Sequence, residues 1–215
     1  MSPAHVSNPP VGSTPAAPLF PSFLRLSGRK VVLVGGGAVA AAKHAGLLVA
    51  GARVTVVAPE IGASLRVGGT TLVERSFEPS DLDGAWYVVA AAPPAVNRQV
   101  LAAAEARRLF VNAVDDSDAA TAFAPAVIRR GVATVAISTG GASPALAGLL
   151  REALEALLPT ELERWAEVGQ NARVGWKADG VPLSARRPLL LDALNRLYGA
   201  SMDAPAAGPV KGGGR

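Results

Sequence analysis

A glycine cluster between an aliphatic run and an Ala-rich stretch is the part of the chain with the most readable chemistry. Residues 31–34 are Val-Val-Leu-Val, three glycines follow, and residues 41–50 are typical of a helix. In such a strand–turn–helix unit, backbone N–H groups at the helix N-terminus bind the phosphates of a dinucleotide. We expect Gly35 to make the turn, Gly37 to let the backbone approach a pyrophosphate, and Ala40 to allow close packing of the helix on the strand.

The glycine pattern is also compatible with a turn that serves packing alone, so its context matters. A second aliphatic run at residues 53–58 completes a β-α-β unit of about 30 residues. Glu60 follows Ala40 by about 20 residues, the distance at which a carboxylate can bind a ribose 2′-hydroxyl. NAD is favoured over NADP because no arginine directly follows this strand, although Arg66 and Arg75 keep NADP open.

Asp115 follows another strand-like run, at residues 108–114. In open α/β sheets, ligands bind at the carboxyl ends of the strands. A partly buried carboxylate there is placed to act as a general base. The alternative is a turn aspartate that caps the next segment, helped by Asp116 and Asp118.

A second glycine turn lies at residues 139–141, between a predicted strand at 132–138 and a predicted helix at 145–158. Ser143 is a favourable N-cap and Pro144 a favourable first helical residue. The backbone of this turn could bind an anion through its N–H groups. The alternative is an ordinary loop before a well-capped helix.

Strands and helices alternate along the first half of the chain, which predicts an α/β fold with a Rossmann-type parallel sheet covered on both faces. The predicted strands are 30–34, 53–58, 70–75, 86–91 and 108–114, and the predicted helices are 38–50 and 93–107. A small α+β segment and a C-terminal helical region follow, with a break at residues 180–182. The predicted organisation is a disordered leader at 1–18, an NAD-binding domain at 19–115, a dimerisation and substrate segment at 116–158, helices at 159–200 and a flexible tail at 201–215.

Several side chains are expected to be structural. Residues 19–24 form a short apolar clamp ahead of the sheet, and residues 122–124 read as a short extended segment. Trp86 and Tyr87 are expected in the core, whereas Lys43 and His44 are expected on the surface of the first helix. Neither Tyr87 nor Tyr198 is followed by a lysine in the Tyr-x-x-x-Lys pattern that short-chain reductases use, which argues against that class of enzyme.

Composition excludes several classes of site. The 215 residues include no cysteine and only two histidines, so disulfides and thiolate ligands are absent and a protein-held metal is not expected. No apolar run reaches the roughly 18–20 residues that span a bilayer, and a cytoplasmic protein is expected. The formal net charge of +4 favours an anionic ligand, but without a basic run interleaved with aromatics nucleic acid is not expected. The arginines occur mainly in pairs, at 107–108, 129–130 and 186–187.

Motifs in a fixed order along residues 19–158 resemble the precorrin-2 dehydrogenase/sirohydrochlorin ferrochelatase family, the dehydrogenase module of sirohaem synthase. The motifs are Leu-x-Gly-Arg-x-Val-Val-Leu-Val-Gly-Gly-Gly from Leu26, Gly-Ala-x-Val-Thr-Val-Val-Ala-Pro from Gly51, Asn97-Arg98, Val111-Asn112-x-Val114-Asp115-Asp116, and Val-Ala-Ile-Ser-Thr-Gly-Gly-x-Ser-Pro-Ala-Leu-Ala from Val135. The resemblance implies NAD-dependent oxidation of precorrin-2 to sirohydrochlorin. Some members of the family also insert ferrous iron, and its members form intertwined homodimers through the segment after the position of Asp115.

The resemblance also implies roles for single residues. Asp115 takes the position of the catalytic carboxylate, a base in oxidation that also serves chelation in bifunctional members. The arginine pairs would meet the carboxylates of the tetrapyrrole. The implied cofactor contacts are Gly35, Gly37, Ala38, Val39, Pro59, Glu60, Ala91 and Ala92, and the implied substrate contacts are Asn112, Ser138, Thr139 and Gly140.

The chain departs from the family pattern at two places. Residues 91–94 are Ala-Ala-Pro-Pro where the family usually has Ala-Thr-Asp, so a hydroxyl contact to the cofactor is lost. Residues 122–125 are Ala-Phe-Ala-Pro where Asp-Phe-x-x-Pro is common, which removes a carboxylate and weakens the expectation of ferrochelation. A non-catalytic NAD-binding regulatory module is the alternative function. Asp115 and the second glycine turn favour the enzyme, because a regulatory module needs neither.

Overall fold

A computed structural model describes residues 18–202, with side chains through residue 196. The leader and tail expected at the two termini lie outside the described residues, except for their innermost positions. The described chain divides into two compact units. The first contains the residues up to Ala124 together with Ser138–Ser143, and the second contains Pro125–Ile137 and the residues from Pro144 onward.

The first unit is built on a five-stranded parallel sheet, which confirms the predicted α/β class. Val34 of β1 lies level with Val57 of β2 and Ala90 of β4, so these three strands end at the same edge. The strand order is β3-β2-β1-β4-β5. The strands are β1 Lys30–Val34, β2 Arg53–Val57, β3 Thr71–Val73, β4 Tyr87–Ala90 and β5 Val111–Ala113.

Two helices cover opposite faces of this sheet: α1 (Ala38–Val49) and α2 (Pro94–Glu105). Leu33 packs with Leu47 of α1 in one buried cluster, and Val32 packs with Val100 of α2 in the other. Because both faces of β1 are buried, its sequence is continuously aliphatic rather than alternating.

The ends of α1 and α2 follow from local sequence. Gly51 adopts a φ of 72° after α1 and donates its N–H to Leu48 O at 2.9 Å, an arrangement that glycine favours at helix C-termini. Pro93 precedes α2 and Pro94 is its first residue, where the missing N–H costs nothing.

The aromatic pair before β4 differs from the prediction. Trp86 is 58% exposed, and the guanidinium of Arg29 stacks 3.4 Å from the centroid of its ring. Trp86 is therefore not a core residue. Tyr87 is half-buried, and burial raises the pKa of its phenol to about 12. Residues 19–24 do not form a packed clamp either, since Phe20 and Phe23 are exposed.

His44 is buried rather than on the surface. Its side chain is 2% exposed, and its Nε2 lies 2.8 Å from Thr70 Oγ1. The face of α1 that carries His44 also carries Ala40 and Leu47, which pack on the sheet. Burial lowers the pKa of the His44 imidazole, because desolvation disfavours its charged form.

This burial predicts a loss of stability in mild acid. His44 stays neutral in the folded protein below the pH at which it charges in the unfolded chain, about 6.5. Unfolding then takes up a proton, so the free energy of unfolding falls as the pH drops below that value. Urea titrations at pH 7.5 and 5.5 measure the change, and a His44→Asn variant should show a smaller difference. An unchanged difference in that variant would contradict the assignment; His5, the other histidine, serves as the control in a His5→Asn variant.

The second unit combines a β-hairpin with three helices. Strands β6 (Ala126–Arg130) and β7 (Ala133–Ile137) pair antiparallel across a turn in which Gly131 has a φ of 54°. The prediction included β7 but missed β6, and it placed an extended segment at 122–124, where no strand forms. The helices are α3 Pro144–Leu157, α4 Leu162–Ala178 and α5 Leu183–Met202, with the predicted break before Leu183.

Little of the second unit is buried. Ile128 and Ala147 are its buried apolar residues within the described part of the chain. The exposed leucines of α3 are Leu146, Leu149, Leu150, Leu154 and Leu157. None of the described helices is both long and apolar enough to cross a membrane.

Candidate functional site

The turn after β1 requires glycine at position 35. Gly35 has a φ of 133°, and its N–H donates to Val57 O at 2.9 Å. A Cβ there would lie 2.3 Å from the carbonyl oxygen of Ala91. The backbone after β1 thus passes directly against the backbone after β4, and only glycine permits this approach.

The start of α1 is open, as phosphate binding requires. Gly37 is the N-cap residue, and no side chain caps the helix. A Cβ on Gly37 would meet nothing within 4 Å. Ala38 and Val39 follow in the first helical turn and are exposed. Free space, unsatisfied N–H groups and the positive end of the helix dipole together fit a pyrophosphate.

Gly36, which the sequence pattern treats as a variable position, is constrained more tightly than its neighbours. A Cβ on Gly36 would lie 1.8 Å from the carbonyl oxygen of Glu60. The carbonyl oxygen of Gly36 also accepts the N–H of Gly62 at 2.9 Å. Gly36 therefore joins the phosphate-binding turn to the loop after β2.

That loop carries two predicted cofactor contacts, Pro59 and Glu60, of which Glu60 is the one expected to bind the adenosine ribose. Pro59 and Glu60 are both exposed beyond the end of β2. The two arginines that left NADP open are committed elsewhere, because Arg66 pairs with Glu74 at 2.9 Å and Arg75 pairs with Asp81 at 2.7 Å. These pairings favour a ribose 2′-hydroxyl over a 2′-phosphate.

The Arg75–Asp81 pair is a structural feature of the first unit. Burial by itself would raise the pKa of the Asp81 carboxyl. Hydrogen bonds from Arg75 and from the backbone N–H of Glu78 outweigh burial and hold that pKa below its usual value. Arg75 is thus held by an ionised partner and not available to a ligand.

An open pocket of about 200 Å³ lies at the carboxyl ends of β4 and β5. It brings together the first turn of α1, the loop after β4 and the loop after β5. Its lining residues are Val39, Ala91, Ala92, Pro94, Asn97, Val114, Asp115 and Asp116. Four of the predicted site residues thus meet here: Val39, Ala91, Ala92 and Asp115.

Asp115 lies two residues beyond β5 with a φ of 56°, a left-handed conformation that is uncommon outside glycine. Its side chain is exposed, not partly buried as expected. Within the described residues its carboxylate has no hydrogen-bond or ion-pair partner. Asp116 is the N-cap of the next turn and accepts the N–H of Ala119 at 3.3 Å, so the capping role falls to Asp116. Asp115 is free to act on a ligand.

Asn97 is a pocket residue to which the sequence analysis gave no role. Its side chain is 1% exposed, and its Oδ1 accepts the N–H of Ala92 at 3.2 Å. The sequence signal was its place in the Asn97-Arg98 motif, on the first turns of α2.

Asn112, a predicted substrate contact, has its amide committed to the fold. It is buried, and its Nδ2 donates to Ala122 O at 3.1 Å. The neighbouring Val111 N–H donates to Thr121 Oγ1 at 2.8 Å. These bonds tie β5 to the segment that follows it.

The second glycine turn bonds to itself. Gly140 N–H donates to Ser138 Oγ at 3.1 Å, and Ser143 N–H donates to Thr139 Oγ1 at 3.2 Å. A Cβ on Gly141 would lie 2.9 Å from the ring of Phe123. These bonds explain Ser138 and Thr139 as residues that order the turn. They favour an ordinary loop before the helix over an anion-binding turn.

Among the described residues, no group of three or more His, Asp or Glu side chains is arranged to hold a metal ion. One member of each arginine pair already interacts within the protein. Arg107 bonds to Asp83 at 2.9 Å, Arg130 lies 3.7 Å from Glu155, and Arg186 bonds to Val181 O at 2.8 Å.

Two family models match the chain in sequence order. A putative NAD(P)-binding model matches residues 22–126, and a model described as the central part of a sirohaem biosynthesis protein matches residues 134–157. The first covers the glycine turn, Glu60 and Asp115, and the second covers the second glycine turn and α3.

Known proteins agree with these matches. A siroheme synthase of Citrobacter koseri is 46% identical over 173 residues, and one of Escherichia coli is 45% identical over the same length. Each alignment spans 78% of this chain but 38% of the relative. The solved structure of SirC, precorrin-2 dehydrogenase, is similar, with a TM-score of 0.66 and 28% identity, covering 81% of this chain and 88% of that one.

Proposed function

We propose that the chain is a member of the family formed by the NAD-binding and central domains of sirohaem synthase, and that it oxidises precorrin-2 to sirohydrochlorin with NAD. The observation that carries the proposal is the pocket in which Val39, beside the phosphate-binding turn, and Asp115 line the same space. A nucleotide-sensing module would need the turn but not an unpartnered carboxylate beside it.

Asp115 is proposed as the base. Oxidation of the macrocycle removes two hydrogen atoms, one as a hydride that carries both electrons and one as a proton. NAD, when bound, accepts the hydride. The Asp115 carboxylate is exposed and has no partner among the described residues, so it can take the proton directly from the substrate.

The rest of the first unit orients the two reactants. Gly35 makes the turn against Ala91, Gly37 is proposed to let the backbone approach the pyrophosphate, and Glu60 is proposed to bind the adenosine ribose. Ala91 and Ala92 line the pocket at the position where the family pattern would supply a hydroxyl.

The tetrapyrrole is proposed to approach from the side of Asp115 that is open to solvent. Each arginine pair has one exposed member, Arg108, Arg129 or Arg187, whose side chain makes no hydrogen bond or ion pair within the described residues. An exposed guanidinium is the kind of group that binds a carboxylate of such a substrate.

A homodimer is proposed from the second unit. Its few buried residues contrast with the row of exposed leucines on α3. An amphipathic helix with an exposed apolar face is stabilised by packing against another surface, and a second copy of the same unit offers one.

The dehydrogenase activity is tested under anaerobic conditions, so that oxygen cannot replace the enzyme. Precorrin-2 and NAD are supplied together, and the absorbance of NADH and of sirohydrochlorin is followed. Equal formation of both products, dependent on the protein, is the expected result. NAD binding without any oxidation of precorrin-2 would instead support the regulatory module.

A further inference from the structure

The two ends of the Asn97 amide are in different situations. The oxygen accepts the N–H of Ala92 at 3.2 Å. A backbone N–H can bond only to the oxygen end, which fixes the orientation of the amide and leaves Nδ2 as the other end. Within the described residues, Nδ2 has no hydrogen-bond partner.

This free donor is open to the pocket. Among the side chains that the structure describes, Asp116 Oδ2 is the fully buried polar atom without a hydrogen-bond partner. Asn97 Nδ2 also has no partner but does not belong to that class, so it is not fully buried. The side chain as a whole is 1% exposed and lines the pocket with Val39 and Asp115. What little surface Asn97 has therefore faces that space. A donor with so little access to water is better satisfied when a ligand in the pocket supplies an acceptor.

The position of the pocket in the sheet indicates which part of a dinucleotide it receives. Strands β2 and β4 flank β1 on opposite sides. Glu60, beyond β2, is on the adenosine side of the phosphate-binding turn, so the nicotinamide half extends toward β4 and β5. The walls at Val39, Ala91 and Val114 are apolar and suit the face of a flat ring.

We propose that Asn97 Nδ2 donates a hydrogen bond to the carboxamide oxygen of the nicotinamide ring, which makes Asn97 a positioning residue for the hydride acceptor. The proposal rests on the proposed function for the identity of the ligand. The bond from Ala92 fixes the amide before the cofactor arrives, and the carboxamide bond then fixes the rotation of the ring relative to Asp115.

The test compares Asn97→Asp with the wild type by calorimetric titration of NAD, 3-acetylpyridine adenine dinucleotide and ADP-ribose. Aspartate keeps an oxygen for Ala92 N–H but replaces the donor with an acceptor. The carboxamide of NAD can rotate to present its NH2 group, whereas the acetyl group has no donor to present. We expect the acetylpyridine analogue to lose about tenfold in affinity relative to NAD, which corresponds to about 1.4 kcal/mol. ADP-ribose, which lacks the ring, should bind as before.

Gln99→Glu is the matched control, since Gln99 is exposed on the same helix and the change in charge is the same. Equal weakening of all three ligands, or of none, would overturn the proposal, because a role confined to the loop at Ala92 does not distinguish them. If Asn97→Asp does not fold, the wild type alone is decisive: an NAD analogue without the carboxamide must bind about tenfold more weakly than NAD. These titrations need no precorrin-2, so failure of the dehydrogenase proposal would be recognised separately.

Discussion

Asp115→Asn is expected to abolish most precorrin-2 oxidation while leaving NAD affinity unchanged. A positioned general base contributes about 10²–10⁴-fold to a rate, and an amide cannot replace it. Asparagine is well suited to the backbone here, because Asp115 has a φ of 56° and asparagine is among the residues that tolerate this region best. The substitution therefore removes the base with little change to the loop. Single-turnover oxidation of precorrin-2 and calorimetric titration of NAD measure the two effects.

Asp118→Asn is the control for this experiment. Asp118 is exposed in the turn that follows Asp115, and it does not line the pocket. It should oxidise precorrin-2 at the wild-type rate. Wild-type activity in Asp115→Asn would place the base elsewhere and leave Asp115 as a loop residue.

The sheet and its two helices could be predicted because their signals are local. The aliphatic run at β1, the glycines that follow it and the glycine at position 51 each determine nearby backbone. The hairpin strand β6 was missed since Ala126–Arg130 has neither regular alternation nor a strong aromatic signal. Its partner β7 supplies the pairing, and a pairing partner is not visible in a single segment.

Burial was harder to predict than secondary structure. His44 was placed on the surface by residue type, although its position on α1 is one turn from Ala40 and Leu47 on the buried side of the helix. Trp86 was placed in the core by residue type as well, yet it precedes β4 and packs under Arg29. In both cases the geometry of the element decided the outcome, against the average preference of the residue.

The residues of the candidate site also differ in how well the sequence predicts them. The phosphate-binding turn and Asp115 were found from motif and strand position. Asn97 and Gly36 were not assigned roles, because each acts through a backbone contact: Asn97 accepts the N–H of Ala92 across the loop between β4 and α2, and Gly36 lies against Glu60 O beyond β2. The first contact depends on the conformation of the loop and the second on which strands are neighbours, and sequence spacing gives neither.

Gly36→Ala is expected to lower both stability and NAD affinity. The new Cβ would lie 1.8 Å from Glu60 O and 3.1 Å from the Cβ of Ala58, and neither is the end of a flexible side chain. The loop after β2 must therefore move, at a cost of about 1–3 kcal/mol that is typical of overpacking. The same movement shifts Glu60 away from the adenosine ribose, so NAD affinity should fall more than about tenfold. Thermal unfolding and calorimetric titration of NAD measure the two losses.

Two other glycines separate these causes. Gly46→Ala lies in α1 where a Cβ meets nothing within 4 Å, so it should leave NAD affinity unchanged and stability equal or slightly higher. Gly37→Ala also meets no protein atom within 4 Å, but it projects a methyl group into the space proposed for the pyrophosphate. It should reduce NAD affinity, with no more than the small loss of stability expected when alanine replaces glycine at an N-cap. If Gly36→Ala behaved like Gly37→Ala, losing affinity with no larger loss of stability, the contact with Glu60 would not be what constrains position 36, since a collision between two backbone segments must destabilise the fold even in the absence of NAD.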